Sequence, residues 1–312
     1  MSEEHSGHGL PPAAESRIAE IRRSGTWSSA LSADEFTAIR AIGFEPVGQV
    51  LGAAVYNIGY TGGYACPGAW AGFGGYATPY QSVTAVSGTG TVGSYGPMVQ
   101  LLYQARRQAI SRMSTECAEL GGHGVVGVSL TIGTFPAGGL EFKAIGTAVR
   151  APGGVPLKRP FTSDLSGQDF AKLIAAGWVP VGLALGISIG ARHDDWLTIN
   201  QTRWGSGNAE VSGYTDLVNQ SRHDARTQLD RDVTRMGADG VVVKSMDMRI
   251  RERECPMQEH RRDHIAEVTI IGTATARFTR SAPAAGQRRA GSLAILSLDP
   301  QRRQAARVKL GR

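Results

Sequence analysis

The sequence predicts an α+β fold made of two tandem repeats. Three blocks, residues 31–48, 121–126 and 145–148, recur in the same order as residues 165–182, 237–242 and 271–274. Several blocks repeated in the same order are stronger evidence for the fold than any local sequence pattern. The repeats span residues 31–150 and 165–278, and each is predicted to be a helix, a strand, a long helix and two closing strands.

Each repeat opens with a short capped helix. Ser32 followed three residues later by Glu35 is a capping box, and Ser166 with Asp169 is its shorter equivalent. A glycine follows each of these helices, as is common at helix C-termini.

A strand and a long amphipathic helix come next, before two closing strands. Aliphatic residues predict strands at 44–58 and 178–189. Apolar residues spaced three and four apart predict helices at 98–120 and 217–236. The closing strands are predicted at 125–134, 142–149, 241–248 and 266–274. We expect the long helix to cross over between parallel strands and the closing strands to form a hairpin, which leaves open sheet edges able to pair with other copies.

The segments outside the repeats have a different composition. Residues 1–30 are predicted to be a disordered N-terminal segment, 151–164 a linker, and 279–312 a basic disordered tail. The tail holds eight lysines and arginines against one aspartate, whereas the whole chain has a net charge of +6. The repeats are therefore close to neutral, which makes them an unlikely surface for nucleic acid and leaves a protein or acidic partner to the tail.

The three cysteines lie at unrelated positions, which argues against a disulfide framework. The sequence has no apolar run of membrane-spanning length, so we expect no transmembrane segment. Both observations predict a cytoplasmic protein.

A charged insertion at 249–264 has no counterpart in the first repeat. It carries Cys255, His260 and His264, and thiolate with imidazole suits a transition-metal ion such as zinc. Five arginines in the same segment would repel a cation and favour an exposed hairpin extension instead.

A loop at 59–97 is rich in glycine and aromatic residues and contains no Lys, Arg, Asp or Glu. We expect it to pack over an assembly, line a lumen or contact another protein, or else to be a disordered insertion. The loop of the second repeat is shorter and polar. The aromatic residues proposed as an interface or ligand loop are Tyr60, Tyr64, Trp70, Phe73, Tyr76, Trp196, Trp204 and Tyr214.

Some polar residues occur in both repeats and others in one alone. Arg106 and Glu141 recur as Arg222 and Glu267, so we expect one ion pair in each domain, or charges lining a pocket between subunits. Cys117 and His123 are replaced in the second repeat by Val233 and Asp239, which favours structural roles for both.

These blocks resemble the YbjQ-like family, which is named for heavy-metal binding. The resemblance lies in residues 46–52, 105–109, 120–128 and 145–149, and in residues 180–182, 221–222, 236–242 and 271–274. It implies a dodecin-like α+β subunit that assembles into closed rings, five-fold in single-domain members, and it implies no activity. A fused pair could fill two successive ring positions, or one position in each of two stacked layers.

The sequence therefore favours a non-enzymatic, ring-forming or otherwise homo-oligomeric scaffold or binding protein. The first alternative is a heavy-metal-binding or metal-sensing protein. The second is dodecin-like storage of a small planar ligand between Trp and Tyr side chains. No nucleophile–base pair or paired carboxylates stand in a recognisable frame, so we do not expect an enzyme.

Overall fold

Two β-sheets, each with a long helix packed on it, form the protein. The computed structural model describes residues 10–57, 84–86, 95–136, 139–151, 153, 159–203, 207–255 and 262–277. The first half contains α1 (Pro12–Ser24), α2 (Ala33–Ala41), β1 (Glu45–Asn57), β2 (Thr84–Val86), α3 (Gly96–Glu119), β3 (Gly124–Phe135) and β4 (Gly139–Arg150). The second contains β5 (Phe161–Thr162), α4 (Gly167–Ala175), β6 (Trp178–His193), α5 (Trp196–Gln201), α6 (Ser212–Arg235), β7 (Gly240–Glu254) and β8 (Arg262–Arg277). The α+β fold class is confirmed.

The strand order is β1-β4-β3-β5 in the first sheet and β2-β6-β8-β7 in the second. The predicted hairpins are β3–β4 and β7–β8, and both pair antiparallel. The crossover helix α3 connects β1 to β3, which run in the same direction but have β4 between them. Helix α6 connects β6 and β7 in the same way around β8.

A fourth, short strand extends each sheet, and both of these strands lie in segments that the sequence predicts to be connections. In the predicted linker, β5 pairs parallel to the start of β3. In the aromatic loop, β2 pairs antiparallel with residues 190–192 of β6 in the other half. The open edges of three-stranded sheets explain both additions, because unpaired backbone groups on an edge attract a further strand.

The prediction of disorder for residues 1–30 is wrong for α1. A proline stands at the start of this helix, and Gly25, with φ of 68°, ends it in the left-handed conformation. Ala14 and Ile18 are buried, and Arg22 lies 3.3 Å from Glu119 of α3. Residues 1–9 and the basic tail lie outside the described residues.

One glycine in each half lets the long helix approach the first strand closely. A Cβ atom on Gly52 would lie 1.9 Å from the carbonyl oxygen of Ala109 in α3. A Cβ atom on Gly186 would lie 2.1 Å from the carbonyl oxygen of Ala225 in α6. The two positions are equivalent in the repeat, so both helices sit on their sheets at the same depth.

A buried carboxylate in each long helix binds the edge of the neighbouring strand. Glu116 Oε2 accepts a hydrogen bond from Leu51 N at 2.6 Å, and Asp232 Oδ2 accepts one from Leu185 N at 3.1 Å. Arginines balance the charges: Arg17 of α1 pairs with Glu116, and Asp232 pairs with arginines 107 and 235. In each case a side-chain carboxylate accepts the hydrogen bond of a buried backbone N–H that has no neighbouring strand among the described residues to pair with at that position.

A threonine in the central strand of each sheet fixes the segment that leads into the capped helix. Thr147 Oγ1 lies 3.2 Å from Ser29 Oγ, and Thr273 Oγ1 lies 3.0 Å from Ser163 Oγ. The capping box of Ser32 and Glu35 is present, and Ser166 accepts from Asp169 N at 3.1 Å. The capped helices α2 and α4 then pack against each other through a shared apolar cluster.

We expect Gly52→Ala to destabilise the protein by about 3 kcal/mol, because α3 must move away from β1 to admit the methyl group. Chemical unfolding monitored by circular dichroism measures this. The control is Gly96→Ala at the first residue of α3, where the added carbon meets nothing within 4 Å beyond its chain neighbours and the adjacent backbone of its own helix. A Gly52→Ala variant as stable as the control would contradict the close approach.

We also expect Asp232→Ala to cost about 3 kcal/mol, since it leaves Leu185 N and the guanidinium of Arg107 without their acceptor. Replacing Glu119 with Ala should cost less than about 0.5 kcal/mol, because its pair with Arg22 is exposed. Equal losses in the two variants would show that the carboxylate of Asp232 does not stabilise the β6 edge.

Candidate functional site

The second sheet is covered on both faces, because helices from both halves pack on it. Successive residues of a strand face opposite sides. Ala184 of β6 packs with α6, in a cluster with Val268 and Ile270 of β8. Ile187 and Ile189 of β6 pack with α3 of the first half. Helix α3 therefore lies between the two sheets and contributes to the core of each.

Tyr103 of α3 fixes this packing at the edge of β6. Its Oη lies 3.3 Å from Leu185 O, to which it donates, and accepts a hydrogen bond from Ile187 N at 2.8 Å. Burial of the hydroxyl raises the pKa of Tyr103 to about 12. On the same side of α3, Arg107 lies 3.1 Å from Asp232 of α6, beside a polar cleft of about 560 Å³ between the two long helices.

The repeated arginine Arg106 lies near the repeated glutamate of the other half, Glu267, and not beside the glutamate of its own half, as we expected. Arg106 is 7% exposed, and burial lowers its pKa to about 10, an effect opposed by the nearby carboxylate of Glu267 in the other half. Within the first half, Glu141 instead lies 3.4 Å from Lys143. Glu267 also pairs with Arg251, and Arg222 is exposed on α6. The reason is the position of α3, which turns Arg106 toward the second sheet.

Among the described residues, no element covers the outer face of the first sheet at the positions where α3 covers the second sheet. Val55 of β1 is 49% exposed, whereas Ile189, its equivalent on β6, is fully buried under α3. Phe135 is also exposed, and it flanks Gly139 together with Val55, so the two apolar side chains lie on one face. Glu141 pairs in register with Val55 and lies on the same face.

The segment before α4 binds β3 of the first half. Phe161 N donates to His123 O at 3.1 Å, and Ser163 N donates to Val125 O at 2.9 Å. The ring of Phe161 lies over Gly124, where a Cβ atom would approach it to 2.3 Å. The equivalent of Phe161 before α2 is Trp27, which is 37% exposed.

A second notable feature is a buried polar group at the far end of the second sheet. His193 Nδ1 lies 2.8 Å from Asp263 Oδ1, and Arg253 Nη2 lies 3.3 Å from Asp263 Oδ2. Cys255 lies beside them, and His193, Cys255 and Asp263 each offer one ligand atom within 4.8 Å of the others. All three residues are buried.

A layer of hydrogen bonds adjoins this group. His264 Nδ1 lies 3.1 Å from Asp194 Oδ1, and Tyr214 Oη donates to Asp194 Oδ2 at 3.1 Å. The ring centroids of Tyr214 and His264 are 4.4 Å apart. Burial, followed by the charge of Asp194, raises the pKa of Tyr214. The layer holds the ends of β6, α6 and β8 together.

The metal ligands predicted from the sequence do not all come together among the described residues. Cys255 lies beside His193 and Asp263, whereas His264 contacts Asp194, and His260 lies outside the described residues. His193 and Asp263 are not among the ligands predicted from the sequence. The signal that could have found them is the polar run at the end of the otherwise apolar strand β6. His193 lies in this run and pairs with Asp263 on β8.

Other sequence candidates have structural positions or lie outside the described residues. Cys117 is fully buried, and burial raises its pKa to about 12. His123 Nδ1 accepts from Ala151 N, as Asp239 Oδ2 accepts from Arg277 N. Trp196 is exposed at the start of α5. The loop residues Tyr60, Tyr64, Trp70, Phe73, Tyr76 and Trp204 lie outside the described residues.

Comparison with known proteins agrees with the sequence resemblance. Residues 77–152 match the sequence profile of the YbjQ family, described as "Putative heavy-metal-binding". The chain is 32% identical to the encapsulin nanocompartment protein Rv1762c of Mycobacterium tuberculosis over 241 residues, which is 75% of this chain and 81% of that protein. In the described parts of the chain, no helix is long and apolar enough to cross a membrane. The chain therefore carries a YbjQ-like region at residues 77–152 and belongs to the same family as this mycobacterial encapsulin nanocompartment protein.

Proposed function

We propose that the chain is a non-enzymatic structural subunit of a homo-oligomeric ring, in which each copy packs on the next as its two halves pack on each other. The observation that carries this proposal is the difference between the two sheets. The face of the second sheet that contains Ile189 is buried by α3, whereas the same face of the first sheet leaves Val55 about half exposed. Helix α6 of another copy is the equivalent of α3 and would cover that face.

The charges on the two surfaces are complementary. Arg222 stands on α6 where Arg106 stands on α3, and Glu141 stands on the first sheet where Glu267 stands on the second. Within the chain, Arg106 is buried near Glu267. Between copies, Arg222 would reach Glu141 in the same way, which explains why both residues recur although the pair does not form within one repeat.

A second contact of the same interface supports the proposal. Within the chain, β3 and the segment containing Phe161 are joined by backbone hydrogen bonds. In the second sheet, β7 is an edge strand in the equivalent position. The segment containing Trp27 from the next copy would bind this edge, with its indole over Gly240 as the ring of Phe161 lies over Gly124.

Such an interface joins two different surfaces, the α6 side of one copy and the outer face of the first sheet of the next. Every copy therefore presents one surface of each kind to its neighbours. A head-to-tail contact of this type forms a ring if the rotation closes. The negative charge of Glu116 is already neutralised by Arg17 of the same chain. The proposed contact between copies therefore needs no arginine for Glu116 and depends on the exposed face of the first sheet. The name of the mycobacterial relative, an encapsulin nanocompartment protein, supports a role in assembly.

We predict that Arg222→Glu reduces the native mass of the protein from a multiple of 33.0 kDa toward one chain. The reason is that a carboxylate at residue 222 would face Glu141 across the interface, where like charges are strongly unfavourable. Native mass spectrometry measures this. Combining Arg222→Glu with Glu141→Arg should restore the large mass, because the pair is then reversed in sign.

The matched control is Arg231→Glu on the same helix. Residue 231 lies nine positions from Arg222, on the opposite side of α6, and it should leave the mass unchanged. The proposal fails if the wild-type protein is a monomer at micromolar concentration. It also fails if Arg231→Glu and Arg222→Glu change the mass equally.

A further inference from the structure

We propose that His193, Cys255 and Asp263 form a zinc-binding site at the end of the second sheet. Within the part of the chain that the structure describes, this is the one place where three His, Cys, Asp or Glu side chains converge with their ligand atoms within 4.8 Å of one another. The match to the YbjQ profile ends at residue 152. The site is therefore separate from the region that carries the family's description.

The donor set suits zinc. A cysteine sulfur, an imidazole nitrogen and a carboxylate oxygen are the three ligand types that Zn²⁺ takes in proteins. His193 and Asp263 are paired across β6 and β8, and Cys255 directly follows β7. Two neighbouring strands and the residue that follows the third thus present one ligand each. A site built on strands holds its ligands more firmly than a site on a loop.

The distances fit an ion that replaces a proton. His193 Nδ1 and Asp263 Oδ1 lie 2.8 Å apart and share a hydrogen bond. Two ligands of a tetrahedral zinc ion, each about 2.0–2.1 Å from the metal, lie about 3.3 Å apart. The two side chains need to separate by only about 0.5 Å to admit the ion.

The surrounding charges are compatible with a bound cation. Asp263 is fully buried and uses its second oxygen to bind Arg253, so its first oxygen remains directed at His193. Arg253 repels a cation, but the thiolate of Cys255 and the carboxylate of Asp263 together neutralise a divalent ion. The site therefore binds zinc with loss of the thiol proton, and its affinity rises with pH.

The site would hold the end of the longer of the two described hairpins, β7–β8. Strands β7 and β8 extend beyond their counterparts β3 and β4, and the segment 249–264 is the insertion that the first repeat lacks. Zinc bound to His193 and Cys255 would tie the end of this hairpin to β6. Metal binding then contributes directly to stability, because the unfolded chain has no preformed site.

The experiment uses the full chain without an affinity tag, stripped of metal with a chelator. Zinc binding is measured by competition with a chromophoric chelator, and Co²⁺ is added as a spectroscopic probe. We expect one zinc ion per chain and a thiolate-to-cobalt charge-transfer band. Changing Cys255 to Ser should abolish the band and weaken zinc binding by more than about 100-fold, since loss of even an indirect partner costs 10–100-fold.

The matched control is Cys117→Val, which removes a buried cysteine at a position where the second repeat has Val233. It should keep the cobalt band and the wild-type zinc affinity. A second readout is the melting temperature, which zinc should raise in the wild type and in Cys117→Val but not in Cys255→Ser. The proposal is overturned if the wild type binds no metal, or if the Cys255→Ser variant binds zinc as tightly as the wild type.

Discussion

The structure depends on the packing of one helix, α3, between two sheets. Its Ala109 side lies against Gly52 of the first sheet, and its Tyr103 side binds the edge of β6 in the second. This one contact joins the halves into a continuous apolar core that includes Val50 and Ile187. The same contact buries the guanidinium of Arg106. The nearby negative charge of Glu267 partly offsets the free-energy cost of removing this positive charge from water.

The same contact explains why the two halves differ in exposure although their local contacts agree. The glycines under the long helices and the carboxylates of Glu116 and Asp232 occupy equivalent places. What differs is the environment: the second sheet has α3 on its outer face, and the first sheet has no described element there. A head-to-tail assembly would remove this difference, because each copy would then provide its neighbour with α6 as it provides itself with α3.

Much of the scaffold could be predicted from the sequence, because its signals are local. The spacing of apolar residues located α3 and α6 to within a few residues, and the pair Ser32 and Glu35 marked the start of α2. Pairing over long distances could not be read in this way. Nothing local indicates that β2 joins the other half's sheet, that Arg106 lies near Glu267, or that Asp263 meets His193, since each depends on how separate elements pack.

The central claim is that the contact inside the chain is repeated between chains. Electron cryomicroscopy of the purified assembly tests it most directly, because it shows what lies on the outer face of the first sheet. We predict α6 of a neighbouring copy on this face, with Arg222 beside Glu141 and the segment containing Trp27 along β7. An assembly held by other surfaces, or a face covered by the chain's own residues 58–83, would contradict the account.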